Sequence, residues 1–115
     1  VAGMKELGLR LNTLFVGDRE VLSAVVERMT DVKEPVHHWR SGDKLELPHD
    51  GTVFLHQVGE LSPSDQTRLH CWLESSRARV VSTTSDDLFG RVRAGLFIEV
   101  LYYRLNVLRL ELAAS

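Results

Sequence analysis

Two stretches place reactive side chains directly after apolar runs. Gly17-Asp18-Arg19 follows residues 13–16 (TLFV), and His56-Gln57 follows Val53-Phe54-Leu55. Open α/β sheets present ligand-binding groups at the carboxyl ends of their strands, so these stretches are the candidate chemistry of the chain. A phosphate-cradling loop needs the pattern G-x-x-x-x-G-K-[ST]. Its backbone N–H groups surround the phosphates, its lysine reaches their outer oxygens and its hydroxyl holds magnesium. Residues 16–21 read VGDREV, with one glycine and no lysine. Arg19 can attract a phosphate, but no amide nest surrounds it and Asp18 beside it repels one. Gly17-Asp18 reads instead as a tight turn from strand to helix, with Asp18 as the N-cap.

Other reactive residue types form no constellation. His37 and His38 are adjacent on an expected strand, so their side chains point to opposite faces and cannot share a metal. His49, His56 and His70 lack zinc-ligand spacing, and Cys71 is the single cysteine, so neither a metal site nor an internal disulfide is expected. Ser82, Thr83 and Thr84 have no Gly-x-Ser-x-Gly elbow around them. Arg77, Arg79, Arg91 and Arg93 are offset by neighbouring acids and few aromatics, as on a solvated surface.

The elements that must hold these residues alternate between strand and helix, the signature of an α/β protein with a mostly parallel sheet. Strands are expected at 13–16, 35–39, 52–56, 79–84 and 107–112. One helix carries Val21, Leu22, Val25, Val26 and Met29 on a single face. A second opens at Ser62-Pro63-Ser64-Asp65, with Ser62 as N-cap, Pro63 in the first turn and Leu69, Trp72 and Leu73 facing inward. A third is capped within Ser85-Asp86-Asp87, and helical pattern resumes over 99–105. With 115 residues, the chain reads as one domain (1–115), able to bury a core without staples. A formal net charge of -2 gives no basic field to draw in nucleic acid. Residues 1–11 lack the apolar stretch of a secretion signal, and no apolar run approaches the roughly 20 residues that span a bilayer, so a soluble, cytoplasmic protein is expected.

Three ordered segments carry a resemblance. Residues 51–61 (GTVFLHQVGEL) resemble the Walker B segment of NtrC-type sigma-54 activators, GGTLFLDEIGEL. Residues 79–88 (RVVSTTSDDL) are similar to the sensor I segment, VRVIAATNRDL. Residues 95–107 (GLFIEVLYYRLNV) are similar to GxFREDLYYRLNV, which holds the arginine fingers. The chain thus resembles the sigma-54-interacting AAA+ domain over 51–112, and more loosely over 13–39. The resemblance implies a three-layer AAA+ core whose five strands lie in the order 5-1-4-3-2, without the helical lid.

It also implies a nucleotide site whose polar residues differ here. The loop is deleted, leaving Gly17, Asp18 and Arg19, with Arg19 near the place of the lysine. His56 and Gln57 replace the aspartate that holds magnesium and the glutamate that activates water. Neutral imidazole is a poor ligand for Mg²⁺, and an amide cannot take a proton from water at neutral pH. Ser85 stands for the sensor I asparagine and is suited to capping. Ile98 replaces the first finger arginine and Val100 the aspartate, while Arg104 remains, read first as the partner of a carboxylate. The sigma-contacting GAFTGA loop has no counterpart in 40–51.

The reading is therefore a catalytically inactive AAA+-like domain of a bacterial transcriptional regulator, serving regulation, self-association or contact with a protein partner. Turnover of ATP and Mg²⁺ is not expected, and DNA would be bound only through a separate domain. The alternative is a non-hydrolysing receptor for a nucleotide or cyclic dinucleotide, with Arg19, His56, Gln57 and Arg104 lining the modified cleft.

Overall fold

Runs rich in β-branched and aromatic residues become the first four strands, and the alternating LRLE becomes the last, at the sheet edge. In the computed structural model, which describes residues 11–112, β1 is Thr13–Val16, β2 Val36–Trp39, β3 Thr52–Leu55, β4 Arg79–Thr84 and β5 Leu108–Glu111. Helices α1 (Arg19–Arg28), α2 (Pro63–Ser75), α3 (Leu88–Arg93) and α4 (Glu99–Leu105), with a 3-10 turn at Val58–Glu60, fill the connections. Every strand pairing is parallel, and the order is β2-β3-β4-β1-β5. Read from the β5 edge this is 5-1-4-3-2, the order that the resemblance implies.

Alternation along the strands builds three layers. Leu14, Val53, Leu55 and Val80 face one way and pack against Leu69 of α2 and Leu101 and Leu105 of α4. Phe15, Phe54 and Val81 face the other way and meet Leu22 and Val26 of α1. Parallel strands buried on both faces have no solvent-facing side, which is why β3 and β4 show no alternation of buried and exposed residues even though β4 ends in the buried polar run Ser82-Thr83-Thr84. Gly51, at φ 101, brings the chain into β3 so close to β2 that a Cβ there would collide with the Pro35 carbonyl oxygen.

The strand limits differ slightly from expectation. β2 starts at Val36, β3 stops at Leu55 and β5 spans Leu108–Glu111. Backbone bonding nevertheless continues past them, His56 N–H donating to the Trp39 carbonyl at 2.9 Å and Leu112 N–H to that of Val16 at 2.7 Å. The expected start of α2 holds, since Ser62 Oγ accepts from Asp65 N–H at 3.2 Å and Pro63 begins the helix. Two capping assignments need correction. Asp18 occupies the N-cap position of α1 but makes no side-chain cap bond. The cap of α3 does lie within Ser85-Asp86-Asp87, but it is Asp87, accepting from Gly90 N–H at 3.0 Å, and not Ser85 that makes it.

No described helix is long and apolar enough to cross a membrane. The described residues include no helical lid after β5. The reading of the N-terminal segment falls almost wholly outside the described residues.

Candidate functional site

The carboxyl ends of β1, β3 and β4 converge on one cleft beside α1. Gly17 leaves β1 and donates its N–H to the Thr84 carbonyl at 3.2 Å, which ties the exits of β1 and β4 together. A Cβ on Gly17 would lie 2.9 Å from the Leu112 carbonyl oxygen, so the close approach of β5 requires glycine. Asp18 is extended, and α1 begins at Arg19, with Leu22 N–H donating to the Asp18 carbonyl at 2.9 Å. Two residues thus make the whole connection between β1 and α1.

Gln57 sits at the exit of β3 in the left-handed region, with φ 55 and ψ 63. That conformation costs a non-glycine residue about 1 kcal/mol and persists only where surroundings enforce it. Three hydrogen bonds enforce it here. Gln57 N–H donates to Thr83 Oγ1 at 3.1 Å, and Gln57 Oε1 accepts from Ser85 N–H at 3.0 Å and from Ser85 Oγ–H at 2.9 Å. Arg91 braces the same corner, donating to the Gly59 carbonyl at 3.1 Å and to Asp86 Oδ2 at 2.9 Å. Ser85, expected as a cap, is therefore the anchor of the Gln57 amide.

His56 turns toward β2. Its Nε2 lies 2.9 Å from His38 Nδ1, one nitrogen donating and the other accepting. The His38 ring stacks on Phe54 with centroids 4.8 Å apart. Burial, and after it the Arg40 guanidinium and His38, push the His56 pKa down to about 4. His38 is lowered in turn by burial and by Arg40. Both imidazoles are therefore neutral near pH 7, as a shared hydrogen requires. His37 points the other way, its Nδ1 3.3 Å from Glu46 Oε2, so the two adjacent histidines do face opposite sides.

Arg19, His56 and Gln57 line one cavity of about 320 Å³, together with Arg40, Ser41 and Glu60. A neighbouring cavity of about 400 Å³ shares Arg40 and His56 and adds His38 and Phe54. Ser85 reaches the first cavity only through Gln57. Arg104 does not belong to the cleft. Its carbonyl accepts from the side chain of Asn12, just before β1, which places its backbone toward the amino ends of the strands, away from the cleft. Nor does its side chain meet a carboxylate among the described residues.

The sequence did not single out Arg40 or His38 as site residues. Their signal was the placement of β2 beside β3, which puts His38 in register with Phe54 and Trp39 with Leu55. The residues after those partners, Arg40 and His56, then leave the sheet together.

The family model described as the sigma-54 interaction domain matches residues 17–114. The chain belongs to the sigma-54 interaction domain family. It is 37% identical over 86 residues to the DNA-binding transcriptional regulator NtrC of Rhizobium meliloti (strain 1021), covering 64% of this chain and 18% of that protein. To the HTH-type transcriptional regulatory protein TyrR of Citrobacter braakii it is 39% identical over 81 residues, covering 59% of this chain and 16% of TyrR. The Nif-specific regulatory protein of Enterobacter agglomerans is 37% identical over 84 residues, with 62% and 16% covered. The chain thus spans less than a fifth of the length of these regulators. Among solved structures, NtrX from Brucella abortus in complex with ATP superposes with a TM-score of 0.71 at 16% identity, covering 91% of this chain and 32% of NtrX. At that identity the likeness establishes the fold. The order β2-β3-β4-β1-β5 is thus that of a sigma-54 interaction domain with an AAA+ core.

Proposed function

We propose that this sigma-54 interaction domain does not hydrolyse ATP, and that it serves a bacterial transcriptional regulator in the cytoplasm as a regulatory, self-association or protein-interaction module. The engagement of Gln57 carries the reading. The residue that replaces the water-activating glutamate of the family pattern has its carbonyl oxygen committed to Ser85 N–H and Oγ–H, so it works as a strut between the exits of β3 and β4. An amide there cannot accept a proton from water. The residues present do not fit Mg²⁺-ATP either. The connection between β1 and α1 is two residues long, too short for a loop of converging amides, and His56, neutral and bonded to His38, offers no hard oxygen ligand. No metal or nucleotide step is therefore assigned to the cleft. DNA contact would belong to another domain of the regulator.

A coupled assay of phosphate release with Mg²⁺ and ATP tests the reading. Background rates are expected for the chain and equally for Gln57→Ala. Magnesium-dependent turnover that Gln57→Ala abolishes would overturn it.

One observation favours a second reading. Arg19 and Arg40 line the same cavity, and neither forms an ion pair among the described residues, although Glu60 shares the cavity. Two unpaired guanidiniums in a concave site suit a phosphorylated ligand. This cleft would then be a non-hydrolysing receptor for a nucleotide or cyclic dinucleotide, built without Arg104. Titration calorimetry with ATP, ADP and cyclic dinucleotides decides it; heats indistinguishable from dilution at about 1 mM ligand would reject it.

A further inference from the structure

At the amino ends of β3 and β4, opposite the cleft, lies a cavity of about 500 Å³. Lys33 lines it from the connection between α1 and β2, Arg77 from the turn into β4, and Arg79 from the first position of β4. A solvated surface, the expectation for these arginines, describes Arg77 alone, because Arg79 is half-buried. Arg79 is held by neutral acceptors only. Its Nε donates to the Leu11 carbonyl at 2.9 Å and its Nη2 to Thr13 Oγ1 at 3.1 Å. A guanidinium carries about five N–H donors, so most of its capacity is unspent among the described residues. Burial holds its pKa below the ordinary arginine value. A cation drawn out of water in this way calls for a counter-charge.

The nearby carboxylates do not supply it. Neither Arg77 nor Arg79 forms an ion pair among the described residues. Asp50 spends Oδ2 on Lys33 Nζ at 2.8 Å and Oδ1 on the Gly51 N–H at 2.8 Å. Its pKa is lowered by the Lys33 bond first and the Gly51 amide next, with Arg77 acting only at a distance. Asp31 also lines the cavity, so Lys33, Arg77 and Arg79 face Asp31 and Asp50 with positive charge in excess. The frame around them is fixed by hydrogen bonds. Thr52 Oγ1 donates to the Lys33 carbonyl at 2.8 Å, and Arg79 N–H to the Gly51 carbonyl at 2.9 Å. The cations are thus mounted on a preformed wall, as in most small-molecule sites.

We infer that this cavity binds a phosphate group, as the free anion or as the terminal group of a small phosphomonoester, through Arg77, Arg79 and Lys33. Donors that reach in from separate segments suit a tetrahedral oxyanion better than a planar carboxylate, which a single guanidinium already satisfies side by side. The volume falls within the roughly 300–1,000 Å³ of small-molecule sites, so the organic part of an ester has room beside the phosphate. Bound phosphate would tie the turns before β2 and β4 together and stabilise the folded chain by mass action. The site lies at the other end of the strands from Arg19 and Arg40, so it does not depend on the receptor reading of the cleft.

Amide-resolved NMR titrations of the isotope-labelled chain with inorganic phosphate and with glycerol phosphate, at constant ionic strength, provide the test. The expected result is saturable movement of the Gly51, Arg77 and Arg79 amides with a Kd of about 1 mM or tighter for at least one of the two. A tighter ester assigns the phosphomonoester, and equal or tighter inorganic phosphate assigns the free anion. Acetate and chloride should leave these amides in place. Arg77→Glu, at an exposed position, should weaken binding by about tenfold or more. Arg79→Lys keeps the charge but removes the fork, and should weaken it by about as much. Because Arg79 also holds Leu11 and Thr13, thermal melts accompany that variant, and Arg77→Glu decides the matter if Arg79→Lys unfolds. Arg19→Ala and Arg40→Ala should leave the affinity within about twofold. Shifts that never saturate, an equal response to acetate, a Kd unmoved by Arg77→Glu, or shifts centred on Arg19 and Gln57 would each overturn the inference. The last of these would at the same time favour the receptor reading of the cleft.

Discussion

The molecule has two buried glutamines, Gln57 and Gln66, and they are used differently. Gln66 is 1% exposed and spends its amide fully. Its Nε2 donates to the carbonyls of Leu61 at 3.0 Å and Leu96 at 3.1 Å, and its Oε1 accepts from Ile98 N–H at 2.9 Å. It joins the entry of α2 to the segment that leads into α4. Gln57 is 9% exposed and spends only its oxygen, on Ser85, while its side chain lines the cleft. A saturated amide on one side of the fold is structural alone. An amide with a donor to spare, set in a concave wall, holds the fold and also faces whatever enters. The same residue type thus separates the part of the domain that only packs from the part that lines a cleft.

Breaking the packing glutamine should have the largest effect. Gln66→Leu fills the space but strands the Ile98 N–H and two carbonyls away from water, at a cost of about 3 kcal/mol in unfolding free energy. Urea denaturation measures it. Because Gln66 sets the approach to α4, the variant should also show a higher limiting proteolysis rate around 94–98. A loss below about 1 kcal/mol would mean that water replaces the amide, and that α2 and α4 are held by Leu69, Leu101 and Leu105 alone.

Gln57→Ala should cost less, about 1.5 kcal/mol, because Ser85 lies nearer solvent and water can replace the lost acceptor. Relief of side-chain crowding in the left-handed conformation offsets nothing here, since alanine is also disfavoured at φ 55. Gln57→Gly would separate the two contributions, recovering about 1 kcal/mol of the alanine loss. If alanine and glycine were equally destabilised, the left-handed geometry would carry no cost and the strut alone would explain the position.

These contrasts bear on what the residues disclosed before the fold was known. The strands 13–16 and 79–84 were legible to the residue, because buried parallel strands leave runs such as TLFV and RVVSTT that no solvent-facing position interrupts. The helix over 99–105 was legible from the LYYRLNV segment. The sheet order came from resemblance, since alternation of strand and helix is compatible with several orders. What could not be read were contacts between segments distant in sequence. The His38–His56 bond depends on β2 lying beside β3 in register, and Arg40 enters the cleft for the same reason. Ser85 was assigned to capping because serine before a helix usually caps, but Asp87 stood closer to the helix and took the role. Gln66 could have been suspected, since it shares the inward spacing of Leu69 and Leu73 on α2.

The cleft side should also be the more sensitive to acid. His56 titrates near 4 in the folded chain, held down first by burial and then by Arg40 and His38, while an unfolded histidine titrates near 6.5. Between these values the unfolded chain binds more protons than the folded one, so stability is full above about pH 6.5 and is lost as pH falls toward 4. His38, lowered in the same direction, adds to the slope. Thermal melts from pH 7.5 to 4 should show a decline that His56→Phe flattens. An unchanged decline in His56→Phe would assign the acid sensitivity to carboxylates elsewhere, and would leave the His38–His56 bond without energetic weight.

The smallest expected effect concerns the two helix starts. Ser62 accepts a cap bond from Asp65 N–H, whereas Asp18 stands at the same position of α1 with its carboxylate free of any cap bond. Removing an N-cap that makes its bond usually costs about 1 kcal/mol, so Ser62→Ala should lose that amount. Asp18→Ala should stay within about 0.5 kcal/mol, retaining only the weak attraction of a carboxylate to the helix N-terminus. The asymmetry follows from Gly17 being pressed against Leu112: the turn into α1 is fixed by backbone contact, and the side chain of Asp18 is not needed to hold it. A loss of 1 kcal/mol or more in Asp18→Ala would show that the carboxylate swings onto the first turn in solution. It would then occupy the amides beside Arg19, and the receptor reading of the cleft would lose its room for an anion.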